Sequence, residues 1–338
     1  MVRVGIIGAG YWGTNLIRSF NDIEGAELAA VADTKPGRLS YVEKRYPHVK
    51  TTADYRDLLA DPTIDAIVVS TPVTTHFDIG KEALLAGKHT FIEKPLAYSF
   101  RDANELHELA LQQNRRLAVG HIYQFSPAVE WMVTHLTTGQ LGDVYHIDTS
   151  RINSGPPKSE VDVVWDLAPH DLSIILYFMR RAGLSTGVRS LRAMGHSYTR
   201  DGLMDLVHIF IEFDSGLSAH IHVSWVTSNK VRLMQISAKR GTVVFDDMAP
   251  SEKVKVFSEA IDTRINADAS KDEELTYRPG DIFIPTLPRR EPLSRECSHF
   301  IDAIQTGTEA ENDGSIGVEV VRLLEMITEE LKRGQGNG

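Results

Sequence analysis

Scarcity narrows this sequence before any motif does. Cysteine occurs once in 338 residues, at Cys297, so there is no intramolecular disulfide and no thiolate metal cluster. No apolar run approaches the roughly 20 residues that a membrane-spanning helix needs, and "MVRVGIIGAG" reads directly into structure without a signal-peptide pattern. A cytoplasmic protein without a membrane partner is expected. Positive charge is also short: 36 Lys and Arg against 46 Asp and Glu leave a net charge of -10. The basic residues are scattered, so the electrostatic footprint of a nucleic-acid binder is missing. Any anionic ligand must be met by local features.

The remaining composition is that of a globular chain, 42% hydrophobic and 24% charged. A single core is hard to extend beyond roughly 250 to 300 residues, so two domains are expected. The first third alternates short β-branched runs with amphipathic segments, from "VRVGIIG" and "YWGTNLIRSF" through "IDAIVVSTP" and "THFDIGKEALLAG" to "RRLAVGH". This is the pattern of βαβ units and a parallel sheet. After residue 121 the runs lengthen, as in "MDLVHIFIEF", "LSAHIHVSWV" and "VRLMQISAKRG", and Asp214, Ser215 and Gly216 look like a hairpin turn. The division expected is therefore residues 1–121 and 122–338. The fold class is α/β, with a doubly wound parallel sheet first and a large, mostly antiparallel sheet with helices on one face second. A long arm over about 260–291 and two last helices, about 294–306 and 315–333, complete the chain.

Gly8, Gly10 and Gly13 form G-x-G-x-x-G between a strand and a helix, around Tyr11 and Trp12. The first glycine permits the tight turn, the second lets backbone approach a pyrophosphate, and the third allows close helix packing. The helix N-terminus then offers N–H groups to the anion. Asp33 ends the second strand, twenty residues on from Gly13, where a carboxylate accepts from ribose hydroxyls and repels a 2′-phosphate. NAD is the expected cofactor, ahead of NADP, with Lys35 and Arg38 softening the preference.

"STPVTTH" (Ser70 to His76) and "EKP" (Glu93, Lys94, Pro95) each fall at the end of a sheet strand, where open α/β folds bind ligands. With the glycine motif and Asp166-x-x-x-His170, they resemble the Gfo/Idh/MocA family over nearly the whole chain. The resemblance implies a Rossmann domain followed by an α/β domain whose open sheet often serves in oligomerisation, here a homodimer or homotetramer. It also implies hydride transfer at a secondary alcohol or ketone of a sugar or polyol, with NAD(P) in a cleft between the domains. Carried over, Lys94, Asp166 and His170 form the catalytic set, while Thr71, Pro72 and His76 line the nicotinamide side. The chemistry agrees: a histidine titrating near about 6.5 can take a hydroxyl proton, and a lysine ammonium stabilises the developing alkoxide. Asp166 then orients the imidazole or a sugar hydroxyl. Plainer readings remain, with Asp166 as the N-cap of a helix beginning there, since Pro169 belongs in a first turn, and His76 as the start of a helix.

Gln124, in "GHIYQF", stands where the family usually has arginine. "SRINSG", "WDLAPHDLSI", "HVSW" and "EPLSRECSHF" resemble the branch acting on nucleotide sugars, including UDP-N-acetylglucosamine 3-dehydrogenases. Arginine offers a planar donor fork to a diphosphate, which makes Arg151, beside Asn153, the first candidate and Lys230 with Arg232 the second. Trp165 or Tyr123 could stack on a sugar or base, and His121 ends a strand near the substrate. A free-sugar or inositol dehydrogenase and a dinucleotide-sensing regulator are the alternatives. His220 and His222 share one strand face without a third ligand nearby in sequence, so no metal is expected.

Overall fold

The computed structural model describes residues 1–154, 161–199, 202–258, 260–262, 276–278 and 280–335. In chain order the elements of the first part are β1 (Val2–Ile7), α1 (Gly13–Asp22), β2 (Ala26–Ala32), α2 (Pro36–Arg45), β3 (Lys50–Thr52), α3 (Arg56–Ala60), β4 (Ala66–Val69), α4 (His76–Leu85), β5 (His89–Glu93), α5 (Phe100–Gln112) and β6 (Leu117–Gly120). Then follow α6 (Pro127–Thr137), β7 (Val144–Ile152), α7 (Val163–Arg181), β8 (Val188–His196), β9 (Leu206–Phe213), β10 (Ser218–Ser224), β11 (Val231–Ala238), β12 (Gly241–Asp246) and β13 (Val254–Phe257). The short β14 (Ala260–Asp262), β15 (Thr276–Arg278) and β16 (Ile282–Phe283) precede α8 (Pro292–Thr306) and α9 (Gly314–Gln335). Residues 263–275 and 279 of the expected 260–291 arm lie outside the described residues.

The chain forms two compact units, Met1–Ser126 with Arg290–Glu325, and Pro127–Arg289 with Met326–Gly338. The first holds a sheet of order β3-β2-β1-β4-β5-β6 in which every pairing is parallel. Its order reverses between β1 and β4, the switch point where such sheets open a crevice beyond their strand ends. β4 is buried along its whole length, which explains why "AIVV" carries no alternation. The expected boundary at 121 misses the return of residues 290–325. On α8, Leu293, Cys297, Phe300 and Ile301 join one core cluster with Val4, Ile6, Leu16 and Phe20. That association is long-range and leaves no local signature.

The second unit is built on an eight-stranded sheet of order β16-β13-β12-β11-β7-β10-β9-β8, antiparallel except between β7 and β10. The expected hairpin is present: Gly216 takes a φ of 85° between β9 and β10. α7 packs on β7, β9 and β10, and α6 on α7 and β12. The opposite sheet face carries His208, His220 and His222, whose rings stack, with His220 Nδ1 3.0 Å from Asp148 Oδ2.

α7 begins three residues earlier than expected. Asp162 caps it, accepting from the N–H groups of Val164 at 3.0 Å and Trp165 at 3.1 Å. Asp166 is therefore inside the helix and is not its N-cap, and Pro169 lies in the second turn. Buried packing of the surrounding turns outweighs the one backbone bond that proline cannot donate. Inside the same unit, Arg151 of β7 donates through Nε and Nη2 to the two oxygens of Asp171, at 2.9 and 2.8 Å, with both side chains buried. Removing one partner strands a charge, so Asp171→Ala should lower the unfolding free energy by roughly 3–5 kcal/mol. A urea midpoint unchanged from the parent protein would contradict this account.

Candidate active site

In the first unit the glycine turn is fixed by contacts that leave no room for side chains. Gly8 has a φ of 100°, and a Cβ on Gly13 would lie 2.0 Å from the Gly8 carbonyl oxygen. A side chain on Gly10 would meet nothing nearer than the Arg38 guanidinium at 3.6 Å, so the turn keeps an open cradle over the first N–H groups of α1. Ser70, just beyond β4, donates through Oγ to the Gly8 carbonyl at 2.7 Å and locks the turn to the next strand. Tyr11 is exposed beside the cradle, as is Pro72. This is the shape a dinucleotide pyrophosphate requires.

Asp33 lies on the β2 side of the cradle. Its carboxylate accepts from the Ala9 N–H and the Lys35 N–H, each at 2.8 Å, and from Arg38 Nη1 at 3.1 Å. Burial pushes its pKa up, but the Lys35 and Ala9 N–H groups and the Arg38 charge outweigh burial and hold it below the usual carboxylate value. An ionised acid is thus presented where ribose hydroxyls are expected.

On the other side of β1, five side chains follow from the ends of β5 and β6. Glu93 is buried; its Oε1 accepts from the Trp12 indole and its Oε2 from the Lys94 N–H. Its carboxyl lies against Gly120, where a Cβ would come within 2.9 Å of it. Burial raises the Glu93 pKa to about 7, against the pull of the Trp12 hydrogen bond and the Lys94 charge. His121 is buried with neither ring nitrogen paired, and burial together with the Lys94 charge pushes its pKa down to about 3. It is a neutral imidazole near a cation. Lys94 itself is half-buried, as is Tyr123, and Gln124 is buried.

His76 departs from expectation. It is buried as the first residue of α4, with ring nitrogens 2.8 Å from the Pro95 carbonyl and 2.9 Å from the Thr71 carbonyl. It ties the loop after β4 to the loop after β5, so it acts as a clamp and not as a lining residue. Thr71 accepts from Thr75 Oγ1 at 2.7 Å.

In the second unit, Asp166 and His170 are the two residues of α7 between Val163 and Met179 that are not buried. Four-residue spacing puts them on one side, so the helix opens at that pair alone. Several expected substrate contacts are corrected. Trp165 is buried and donates its indole N–H to Thr328 Oγ1 at 3.0 Å, so it is a core aromatic. Arg151 is committed to Asp171, and Arg232 donates through Nη1 to Asp247 at 3.2 Å. Lys230 is exposed in the turn after β10, and Asn153 is half-buried with its N–H on the Ser224 carbonyl.

Sequence reasoning missed Glu296 and Asn312. Glu296 is fully buried on α8, where burial and the Glu93 charge push its pKa well above the carboxylate range. Its Oε1 accepts from Asn312 Nδ2 at 3.4 Å, which also donates to the Val119 carbonyl at 2.7 Å. The signal was present: Leu293, Glu296, Cys297 and Phe300 have the spacing of a buried helix stripe, with a carboxyl inside it.

Comparison with known proteins agrees with this geometry. Residues 2–121 match the oxidoreductase family with an NAD-binding Rossmann fold, and residues 131–244 match the GFO/IDH/MocA C-terminal domain. The chain is 26% identical to the UDP-N-acetylglucosamine 3-dehydrogenase of Acidithiobacillus ferrooxidans, over 95% of this chain and 94% of that one. A solved structure of that enzyme superposes with a TM-score of 0.82, covering 98% of both chains at 24% identity. The inositol 2-dehydrogenase of Rhizobium meliloti is 25% identical over 95% of this chain and 94% of its own. An oxidoreductase from Agrobacterium radiobacter, solved with NAD+, L-tartaric acid and magnesium, shares the fold with a TM-score of 0.79 at 19% identity over 98% and 97% of the two chains.

The glycine turn yields a direct test. Gly13→Ala should weaken NAD+ binding at least about tenfold, because the turn must open to admit the methyl group. Titration by tryptophan fluorescence, with far-UV circular dichroism as the folding control, measures it; unchanged affinity would contradict the geometry.

Proposed function

The chain belongs to the Gfo/Idh/MocA oxidoreductases, and we propose that it transfers hydride between NAD(H) and a secondary alcohol or ketone, C3 of a nucleotide-linked sugar. The observation that carries the chemistry is the Asp166 and His170 pair, one turn apart on a helix otherwise buried from Val163 to Met179. A core helix with an opening of that kind presents a base, and the carboxylate that orients it, to a ligand. The first unit supplies the cofactor cradle and Lys94.

Bound NAD+ supplies the hydride acceptor; the side chains do the rest. His170 takes the hydroxyl proton at a ring nitrogen, and Asp166 orients that ring. Lys94 holds its ammonium toward the developing alkoxide and stabilises the negative charge. His121, kept neutral by burial, hydrogen-bonds substrate without competing for the proton. Tyr123 and Asn153 complete the sugar contacts. Gly8, Gly10, Tyr11, Trp12 and Gly13 hold the pyrophosphate, Asp33 the adenosine ribose, and Ser70, Thr71, Pro72 and Glu93 the nicotinamide half.

The nucleotide-sugar reading is supported by likeness to a UDP-N-acetylglucosamine 3-dehydrogenase over almost the full chain. Lys230, exposed in the turn after β10, is a cation available to a diphosphate. A second reading, a free-sugar or inositol dehydrogenase, is favoured by the engagement of Arg151 with Asp171 and by the comparable likeness to an inositol 2-dehydrogenase. We place the protein in the cytoplasm, with the NAD(H) pool, as a homodimer or homotetramer formed through the open sheet face.

Purified protein incubated with NAD+ and either a nucleotide-sugar panel or a polyol panel should develop NADH absorbance with the first; turnover of polyols alone would assign the second reading. Lys94→Ala and His170→Ala should each lower kcat by about 100- to 10,000-fold with NAD+ affinity at pH 8 largely kept. Full activity in either variant would remove that residue from the mechanism.

A further inference from the structure

The adenosine end of the cradle is marked by Asp33 after β2 and the pyrophosphate by the turn after β1. A dinucleotide held at those two points would extend across the switch point toward the ends of β4, β5 and β6. The buried carboxyl there is Glu93. Around it lie the Trp12 indole from the glycine turn, the Lys94 N–H and ammonium from its own strand end, Gly120 at the end of β6, and Glu296 from α8. Gly120 brings strand backbone against the carboxyl with no intervening methyl, and the side chain is buried.

We propose that Glu93 is a cofactor-linked proton site that discriminates oxidised from reduced nicotinamide: it is ionised against the NAD+ ring and takes up a proton when that ring is neutral. The inference rests on the NAD(H) reading above and extends it to the redox state recognised. During substrate oxidation the C–H bond breaks, hydride with both electrons passes to the nicotinamide, and the hydroxyl proton passes to His170. The ring loses its positive charge in that step. Glu93 then loses the cation that favoured its ionised form and binds one proton from solvent; the reverse step releases it.

The neighbours leave this titration to Glu93. Burial raises its pKa to about 7, so a modest change in nearby charge moves it across the working range. Burial and the Glu93 charge push the Glu296 pKa well above the carboxylate range, so Glu93 is the readier of the two carboxyls to ionise. His121 stays neutral above about 3, and Asp33 stays ionised. The sign follows from linkage: NAD+ prefers the ionised acid, so its binding releases a proton wherever free Glu93 is protonated. NAD+ affinity should rise by about tenfold per pH unit approaching pH 7 from below and level off above it. NADH affinity should not rise over the same interval.

The full-length protein should be titrated with NAD+ and with NADH between pH 5.5 and 8.5, using Trp fluorescence and calorimetry in two buffers of different ionisation enthalpy. At pH 6.5, NAD+ binding should release a fraction of a proton and NADH binding none. Glu93→Gln should flatten the NAD+ profile and lower the NAD+ to NADH affinity ratio at pH 8 by about tenfold, while Glu296→Gln should keep the slope. Equal pH slopes for both cofactors, no proton release from the parent protein, or a slope that survives Glu93→Gln would overturn the proposal. Tight NAD+ binding without pH dependence defeats this inference alone; absence of NAD(H) binding defeats the cofactor reading with it.

Discussion

Helix α1 approaches the end of β1 so closely that position 13 has no space for a Cβ, and much of the first unit follows from that contact. The helix can come so near because Gly8 turns with a positive φ and Ser70 accommodates its carbonyl. The N–H groups of the first turn then face an opening that Gly10 leaves clear. Asp33 is drawn into the same arrangement through the Ala9 N–H, and Glu93 through the Trp12 indole. Two carboxyls are thus fixed on opposite sides of one turn in contrasting states. Asp33 is wrapped in donors that keep it charged; Glu93 has donors too, but burial dominates. Environment assigns them different work.

The second unit solves a different problem: exposing two polar groups on a helix whose remaining faces are core. Capping by Asp162 and the buried Arg151 to Asp171 ion pair hold α7 from its start and from its β7 side. Asp171 neighbours His170 in sequence but is buried against Arg151, so adjacent residues have opposite exposure. The helical period, which turns successive side chains by about 100°, separates the half-buried residue from the core one.

Elements whose cause is local were legible in the sequence. The glycine turn, the parallel strands, the hairpin at Gly216 and both C-terminal helices depend on short-range pattern and turn chemistry. Asp33 and Lys94 could be placed because strand ends are readable. Errors arose where partners are distant. Arg151 looked like a free donor fork because Asp171 is twenty residues away. Trp165 looked like a stacking platform because Thr328 belongs to another helix. His76 looked like a lining residue because the Pro95 and Thr71 carbonyls that engage it are brought together only by the sheet. The start of α7 was misplaced for the opposite reason: a local rule about Pro169 was applied where core packing overrides it.

The first unit is discontinuous in sequence, and this gives its assembly an order in time. Leu293, Phe300 and Ile301 belong to the same core as Val4 and Leu16, and the buried partner of the Glu93 carboxyl comes from α8 as well. On the ribosome the strands that carry the cradle emerge before α8, yet their core stays open until residues 290–325 have been made. The cofactor end of the protein is thus closed by two stretches far apart in sequence, and a ribosome that stops before α8 leaves its core without Leu293, Phe300 and Ile301.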